Sequence, residues 1–186
     1  MAARVFVITG PSGVGKGTLI AALRERLPDL QLSVSATTRP PRAGEEDGVA
    51  YHFMSEEQFA ECVEEGAFVE HAEYSGRRYG TLRSELERRT AAGHPVVLEI
   101  ELQGARQVRR TLPEAVRIFI APPTPQTLAD RLTGRGTDAP DEVAARLAVS
   151  ARELAAQDEF PHVVVNDDLE RAVDQLEGIV ASTLTA

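Results

Sequence analysis

Lys16 is the only lysine in 186 residues, against 19 arginines, and it stands in the run Gly10-Pro11-Ser12-Gly13-Val14-Gly15-Lys16-Gly17-Thr18. A compact ammonium on a flexible stem can fold back over a tight turn and meet the terminal phosphates of a nucleotide, where a planar guanidinium is too wide. In such a loop the backbone N–H groups and the dipole of the following helix form a cradle for anionic oxygens. Glycines at 10, 13 and 15 permit the backbone angles this needs. Gly17 stands directly after the lysine, where phosphate loops usually carry a Ser or Thr that holds Mg²⁺, and Thr18 comes one place later. The expected arrangement is therefore Mg²⁺ held mainly by phosphate oxygens and water, with Thr18 close by.

A second set of cations lies in Ser35-Ala36-Thr37-Thr38-Arg39-Pro40-Pro41-Arg42-Ala43-Gly44-Glu45. Arg39 and Arg42, three apart in a proline-stiffened loop, can clamp a second phosphate through bidentate guanidinium geometry. Two loop arginines are also ordinary solvated charge, and the residues alone leave both readings open. Tyr51 and Tyr79 could add hydroxyl donors or simply pack half-buried. Arg135, between Gly134 and Gly136, sits in a loop that reads either as a surface connection or as a lid that carries the arginine onto a bound phosphate. His52, His71, His94 and His162 have neither metal-ligand spacing nor a nucleophile context. Phosphoryl transfer needs none, since charge neutralisation and alignment suffice.

The elements that must hold these groups read as α/β. Arg4 to Thr9 is a buried parallel strand, and Leu19, Ile20, Leu23 and Leu27 recur at helical spacing behind the loop. Strand, glycine loop and helix in that order are the context that distinguishes a phosphate loop from a glycine-rich turn. Residues 96–100, 116–121 and 163–165 are continuous apolar runs of strands buried on both faces. Ahead of them, after the first strand and helix, residues 35–94 form a small mixed region. It has a strand over 51–54, a helix opened by the capping box Ser55…Gln58 and ended by Gly66, a strand over 67–74, a turn over 75–80 and a helix over 81–92. The predicted fold is a phosphate-loop core, a parallel five-stranded sheet flanked by helices, with a mixed insertion and a mobile lid. The predicted boundaries within one domain, 1–186, are a core over about 1–34, 95–132 and 151–186, an insertion over 35–94 and a lid over 133–150.

Bulk composition narrows the classes. A chain of this length holds one sizeable core. Its net charge of −9 argues against broad binding to nucleic acid or a membrane surface, so arginines must be concentrated locally where polyanions bind. Cys62 is the only cysteine, which excludes an internal disulfide or a cysteine zinc cluster and fits a reducing, cytoplasmic setting. No run of about 18 apolar residues occurs. Oligomeric state stays open, a homo-oligomer included.

Taken together the motifs resemble those of the guanylate kinase family. The resemblance runs from about Arg4 to Leu176 through residues 10–16, 33–45, 74–81 (Tyr-Ser-Gly-Arg-Arg-Tyr-Gly-Thr), 98–104 (Leu-Glu-Ile-Glu-Leu-Gln-Gly), 118–123, 134–137 and 165–169. It implies a Mg²⁺-dependent transfer of the ATP γ-phosphoryl group to GMP, giving ADP and GDP, with a GMP-binding insertion and a lid. It further implies that Arg39, Arg42, Tyr51 and Tyr79 hold the GMP phosphate and that Ser35, Glu70, Thr81 and Glu101 surround guanine. In the same way it implies that Glu45 orders the arginine loop, that Arg135 and Arg146 close over the phosphates with help from Arg131, and that Asn166 lies by adenine. Glu101 stands where that family commonly has aspartate. The competing readings are a kinase for another nucleoside monophosphate and a guanylate-kinase-like module that only binds proteins.

Overall fold

The structure is a computed structural model that describes residues 5–74, 76–133 and 148–185, with the side chains of Leu132 and Thr133 left undescribed. In chain order the elements are β1 (Val5–Thr9), α1 (Lys16–Arg26), β2 (Gln31–Leu32), β3 (Ala36–Thr37), β4 (His52–Phe53), α2 (Glu56–Glu64), β5 (Phe68–Tyr74), β6 (Arg77–Leu82) and α3 (Arg83–Ala91). There follow β7 (Val96–Glu99), α4 (Leu102–Thr111), β8 (Val116–Ala121), α5 (Pro125–Thr133), α6 over residues 148–154, β9 (His162–Val165) and α7 (Leu169–Thr185). Arg135 and Arg146, and nearly all of the expected lid, lie outside the described residues.

Two sheets build the molecule. The first has five parallel strands in the order β2-β7-β1-β8-β9. β1 lies at its centre with all five residues buried, the apolar run expected of a strand covered on both faces. Its side chains alternate between two cores. Phe6 and Ile8 pack with Leu19, Leu23, Leu176 and Val180 of α1 and α7. Val5 and Val7 pack with Ala105 and Val108 of α4 and with Phe119 and Phe160. Arg26 fastens α1 to α7 through Glu170, Asp174 (2.5 Å) and Glu177 (3.2 Å).

The second sheet has four strands in the order β4-β3-β6-β5, with β3–β4 parallel and the other pairs antiparallel. It has its own small core, in which the Phe59 ring of α2 stacks on Phe68 at 4.5 Å. The Ser55 capping box forms as predicted, and Gly66 ends α2 at φ +66°.

Two sequence expectations are corrected here. The expected turn over 75–80 is largely strand, because Arg77–Leu82 pairs with β5 from Tyr74↔Arg77 to Glu70↔Thr81. The expected loop from residue 35 begins with the strand β3, which pairs Ala36 with Gly80 and Thr37 with Tyr79. Both segments lack the apolar alternation that marks a strand in sequence, and cross-strand pairing alone orders them. Glu85 of α3, only 4 % exposed, fastens this region. It accepts from Arg89 Nε (2.5 Å), Arg88 Nη2 (2.8 Å) and the Val34 N–H (3.3 Å).

Candidate active site

At the end of β1 the chain turns through Gly10 and enters α1 through Gly15. A Cβ on Gly10 would lie 2.3 Å from the Ile120 carbonyl oxygen, so the turn can run against β8 only as glycine. Gly15 has φ +98° immediately before α1, a left-handed angle that a side chain rarely adopts. Lys16 Nζ curls back over this loop and donates to the carbonyl oxygens of Gly10 (2.6 Å) and Pro11 (3.2 Å). Its ammonium is thereby held over the loop.

Arg131 and Asn166 stand on the outer side of the loop. Asn166 Nδ2 donates to the Val14 carbonyl oxygen at 2.8 Å, and Arg131 divides its guanidinium between the same oxygen (3.2 Å) and the Asn166 carbonyl (3.2 Å). Both side chains brace the loop backbone.

A cavity of about 680 Å³ opens in front of the loop. Its lining combines Ser12, Gly13, Gly15, Lys16, Gly17 and Thr18 of the loop with Ser35 and Tyr51 beside the second sheet, Glu70 and Tyr79 within it, and Glu99 and Glu101 at the end of β7 and the start of α4. Residues up to 89 apart in sequence are thus brought onto one space (Ser12 to Glu101, 101 − 12).

Glu70 is 5 % exposed, and its Oε1 accepts from the Thr81 hydroxyl at 2.7 Å. Burial pushes its carboxyl up to about 7, opposed by the hydrogen bonds from the Thr81 hydroxyl and backbone. Among the described residues no cation pairs with this buried carboxylate, which leaves it suited to a ligand that brings N–H donors.

Arg39 forms an ion pair with Glu45 at 2.8 Å, and its guanidinium lies 5.2 Å over the Tyr51 ring and 5.8 Å over Phe53. The Tyr51 ring meets Tyr79 edge-on at 6.1 Å. Glu45 also accepts from the Arg42 backbone N–H at 2.7 Å, and these two contacts hold its carboxyl below the usual range. Arg39, Tyr51, Tyr79 and Glu45 therefore come together. The Arg42 side chain stays exposed, contributing only its backbone.

Glu99 and Glu153 both feel the Lys16 charge and both neighbour Glu101, and neither was read in the sequence. Glu99 ends β7, and its oxygens lie 3.8 Å from where a Cβ on Gly17 would sit. Loss of water around the Glu99 carboxyl raises its pKa, Lys16 opposes that rise, and Glu101 adds to it. Glu153 of α6 is 7 % exposed. Burial foremost, then the neighbouring Glu101, pushes its carboxyl up to about 7, with Lys16 and the Ser12 N–H opposing. Glu99 was legible only as the polar end of an apolar strand. Glu153 left no signal, being a single acid in a short helix with no motif around it.

Among the described residues no group of three or more His, Cys, Asp or Glu side chains forms a metal cage. The donors facing the phosphate space, the Thr18 hydroxyl among them, are hard oxygens, the type that suits Mg²⁺ with its remaining ligands from phosphate and water. No described helix is long and apolar enough to cross a membrane.

A glycine loop with a folded-back lysine at the end of the central strand of a parallel sheet, sharing one cavity with a separate small sheet, defines the phosphate-loop kinase class. Comparison with known proteins agrees. The profile described as guanylate kinase matches residues 2–183. A guanylate kinase of Synechococcus sp. is 57 % identical over 94 % of this chain and 92 % of its own, and one of Frankia casuarinae is 56 % identical over 94 % and 95 %. The crystal structure of guanylate kinase from Anaplasma phagocytophilum superposes with a TM-score of 0.75 at 31 % identity, covering 97 % of this chain and 86 % of that one. Shikimate kinase from Bacteroides thetaiotaomicron shares the fold, with a TM-score of 0.52 at 19 % identity. The chain belongs to the guanylate kinase family, and it is a nucleoside monophosphate kinase.

Proposed function

We propose that the protein transfers the γ-phosphoryl group of ATP to GMP with Mg²⁺, giving ADP and GDP, and so serves GMP recycling and guanine nucleotide synthesis. The observation that carries this reading is the single cavity shared by the phosphate loop and the buried carboxylate of Glu70.

On the donor side, the N–H groups of residues 10–18 and the start of α1 take the ATP phosphates. Lys16 exchanges its two carbonyl partners for the β and γ phosphates, with Asn166 and Arg131 keeping the loop in shape. On the acceptor side, Arg39 and the hydroxyls of Tyr51 and Tyr79 take the GMP phosphate, with Glu45 orienting Arg39. Arg42, Arg135 and Arg146 complete the charge neutralisation, and Ser35 and Glu101 line the guanine side. The insertion over 35–94 is the acceptor domain and the 133–150 segment its lid.

Guanine presents N1–H and an exocyclic amine to a carboxylate, whereas adenine has an unprotonated N1 and no amine there. Ionised Glu70 pairs with the first and is left buried and unpaired by the second, a strong basis for rejection.

A GMP phosphate oxygen forms the new bond to the γ-phosphorus as the bond to the β-bridging oxygen breaks, and ADP leaves. Bound Mg²⁺ supplies charge neutralisation at the β and γ phosphates, with Thr18 and water beside it. No protein nucleophile is needed. The lone Cys62 supports a cytoplasmic setting.

A coupled assay with GMP, AMP, CMP and UMP tests the reading. Turnover of GMP at least a hundredfold above the others is expected, and AMP turnover above GMP would overturn it.

A further inference from the structure

Gly104 does not border the nucleotide cavity, yet it decides where the Glu70 carboxylate can sit. It is the third residue of α4, buried against β5. A Cβ there would lie 2.4 Å from Glu70 Oε2, 3.1 Å from its Cδ and 3.4 Å from Ile100 Cδ1. Glycine is a poor helix former, so its presence inside a helix asks for a packing reason. Here the carboxylate rests on the bare Cα.

One and two turns further along the same helix, two side chains hold the strand on either side of Glu70. Gln107 accepts from the His71 N–H (3.1 Å) and donates to the His71 carbonyl (2.6 Å). The Thr111 hydroxyl donates to the Val69 carbonyl at 2.7 Å. β5 is the edge of its sheet, so the backbone groups of Val69 and His71 that face away from β6 have no strand to meet. Gln107 and Thr111 take that place.

We propose that Gly104, with Gln107 and Thr111, is a specificity-determining positioning device for the acceptor site. The two polar side chains pin residues 69 and 71, and the glycine leaves the only space in which the Glu70 carboxylate reaches both Thr81 and the base. This rests on the reading that Glu70 recognises guanine. It makes selectivity a property of a core helix outside the acceptor insertion.

The test is Gly104→Ala, with steady-state kinetics for GMP, for IMP, which lacks the exocyclic amine, and for ATP, alongside Glu70→Gln and a thermal melt. The atom that must yield to the new methyl is the end of a flexible side chain, so the fold survives and the carboxylate moves. Expected are a rise in KM for GMP of at least tenfold, a narrowed GMP-to-IMP preference, a KM for ATP within twofold, and a Tm no lower than wild type. A merely structural glycine would move Tm or both KM values together. KM for GMP within twofold of wild type, while Glu70→Gln changes it, overturns the proposal and leaves the base reading standing. Silence of Glu70→Gln overturns the base reading and the proposal with it.

Should Gly104→Ala not yield folded protein, Gln107→Leu replaces it. A rise confined to the KM for GMP supports the device; equal rises for GMP and ATP overturn it. Glu70→Asp combined with Gly104→Ala adds an independent check. The shorter acid relieves the crowding, so the combined effect on KM for GMP is expected to be at least threefold below the product of the single effects, and full multiplicativity would count against the contact.

Discussion

The side-chain amide of Asn166 donates to the carbonyl oxygen of Val14 at 2.8 Å, joining the residue that follows β9 to the phosphate loop 152 positions earlier. A Cβ on Gly15 would stand 2.6 Å from the same nitrogen, so glycine and asparagine fit each other. Asn166→Ala removes this brace and leaves the Val14 oxygen to Arg131 alone. A loss of about 1 kcal/mol of stability is expected, with KM for ATP raised several-fold and KM for GMP unchanged. Kinetics at saturating co-substrate check this; an equal rise in both values would show that the brace is not specific to the donor side.

Lys16→Ala removes the ammonium that, on the proposed reading, reaches developing charge on the transferred group. The expected loss in kcat is about 10²- to 10³-fold. GMP binding, measured by calorimetry without ATP, should stay within twofold, because the proposed acceptor groups Tyr51, Glu70 and Tyr79 come from the 35–94 segment and not from the phosphate loop. Loss of GMP binding in step with turnover would contradict two separate sites.

Glu70 ties pH to both affinity and stability. Its folded pKa is raised from the ordinary 4.5 to about 7. Guanine needs the ionised form, so KM for GMP is expected to fall as pH rises from 6 to 8. For stability the sign is opposite. The protonated group contributes fully below its unfolded pKa, and that contribution is lost as pH rises through about 7, on the order of 2–3 kcal/mol in all. Glu70→Gln should therefore be more stable than wild type at pH 8 while losing its preference for GMP over AMP. Urea melts at pH 5.5 and 8 decide the stability half, and a melt difference that does not change with pH would sink it.

Glu85 works the other way. Burial alone would raise its pKa, but hydrogen bonds from Arg88, Arg89 and the Val34 N–H outweigh this and leave it lowered. Its stabilisation is present above the unfolded carboxylate pKa and is lost as pH falls through the folded one. Glu85→Ala leaves Arg89 half-buried and without its carboxylate partner, and about 3 kcal/mol of destabilisation is expected at pH 7. Equilibrium unfolding gives the number; less than about 0.5 kcal/mol would show that the cluster behaves as an exposed pair.

The core was legible because its signals are local. The phosphate loop, the apolar runs at 96–100 and 116–121 and the capping box at Ser55 each need only their neighbours in sequence to be recognised, and each forms where expected. The second sheet was half legible. Arg77-Arg78-Tyr79-Gly80 reads as a turn because it is polar and carries a glycine, and it is a strand because Tyr74, Glu73, Ala72 and His71 pair with it. The same limit hid Glu99, Glu153 and Gly104, whose positions depend on a helix or strand from elsewhere in the chain.

What the sequence determined by itself is the chemistry available: a lone lysine in a glycine cradle, arginines and tyrosines gathered in one segment, and acids enough to read a base. Burial, pairing and mutual distance came only with the tertiary structure. Glu70 becomes a buried carboxylate because β5, β6 and α4 together exclude water from it, and Arg39 takes a fixed place because Glu45 and Tyr51 hold it. A side chain's charge is written in its type; the dielectric around it, and so its pKa and its partners, is set by chain segments that meet only on folding.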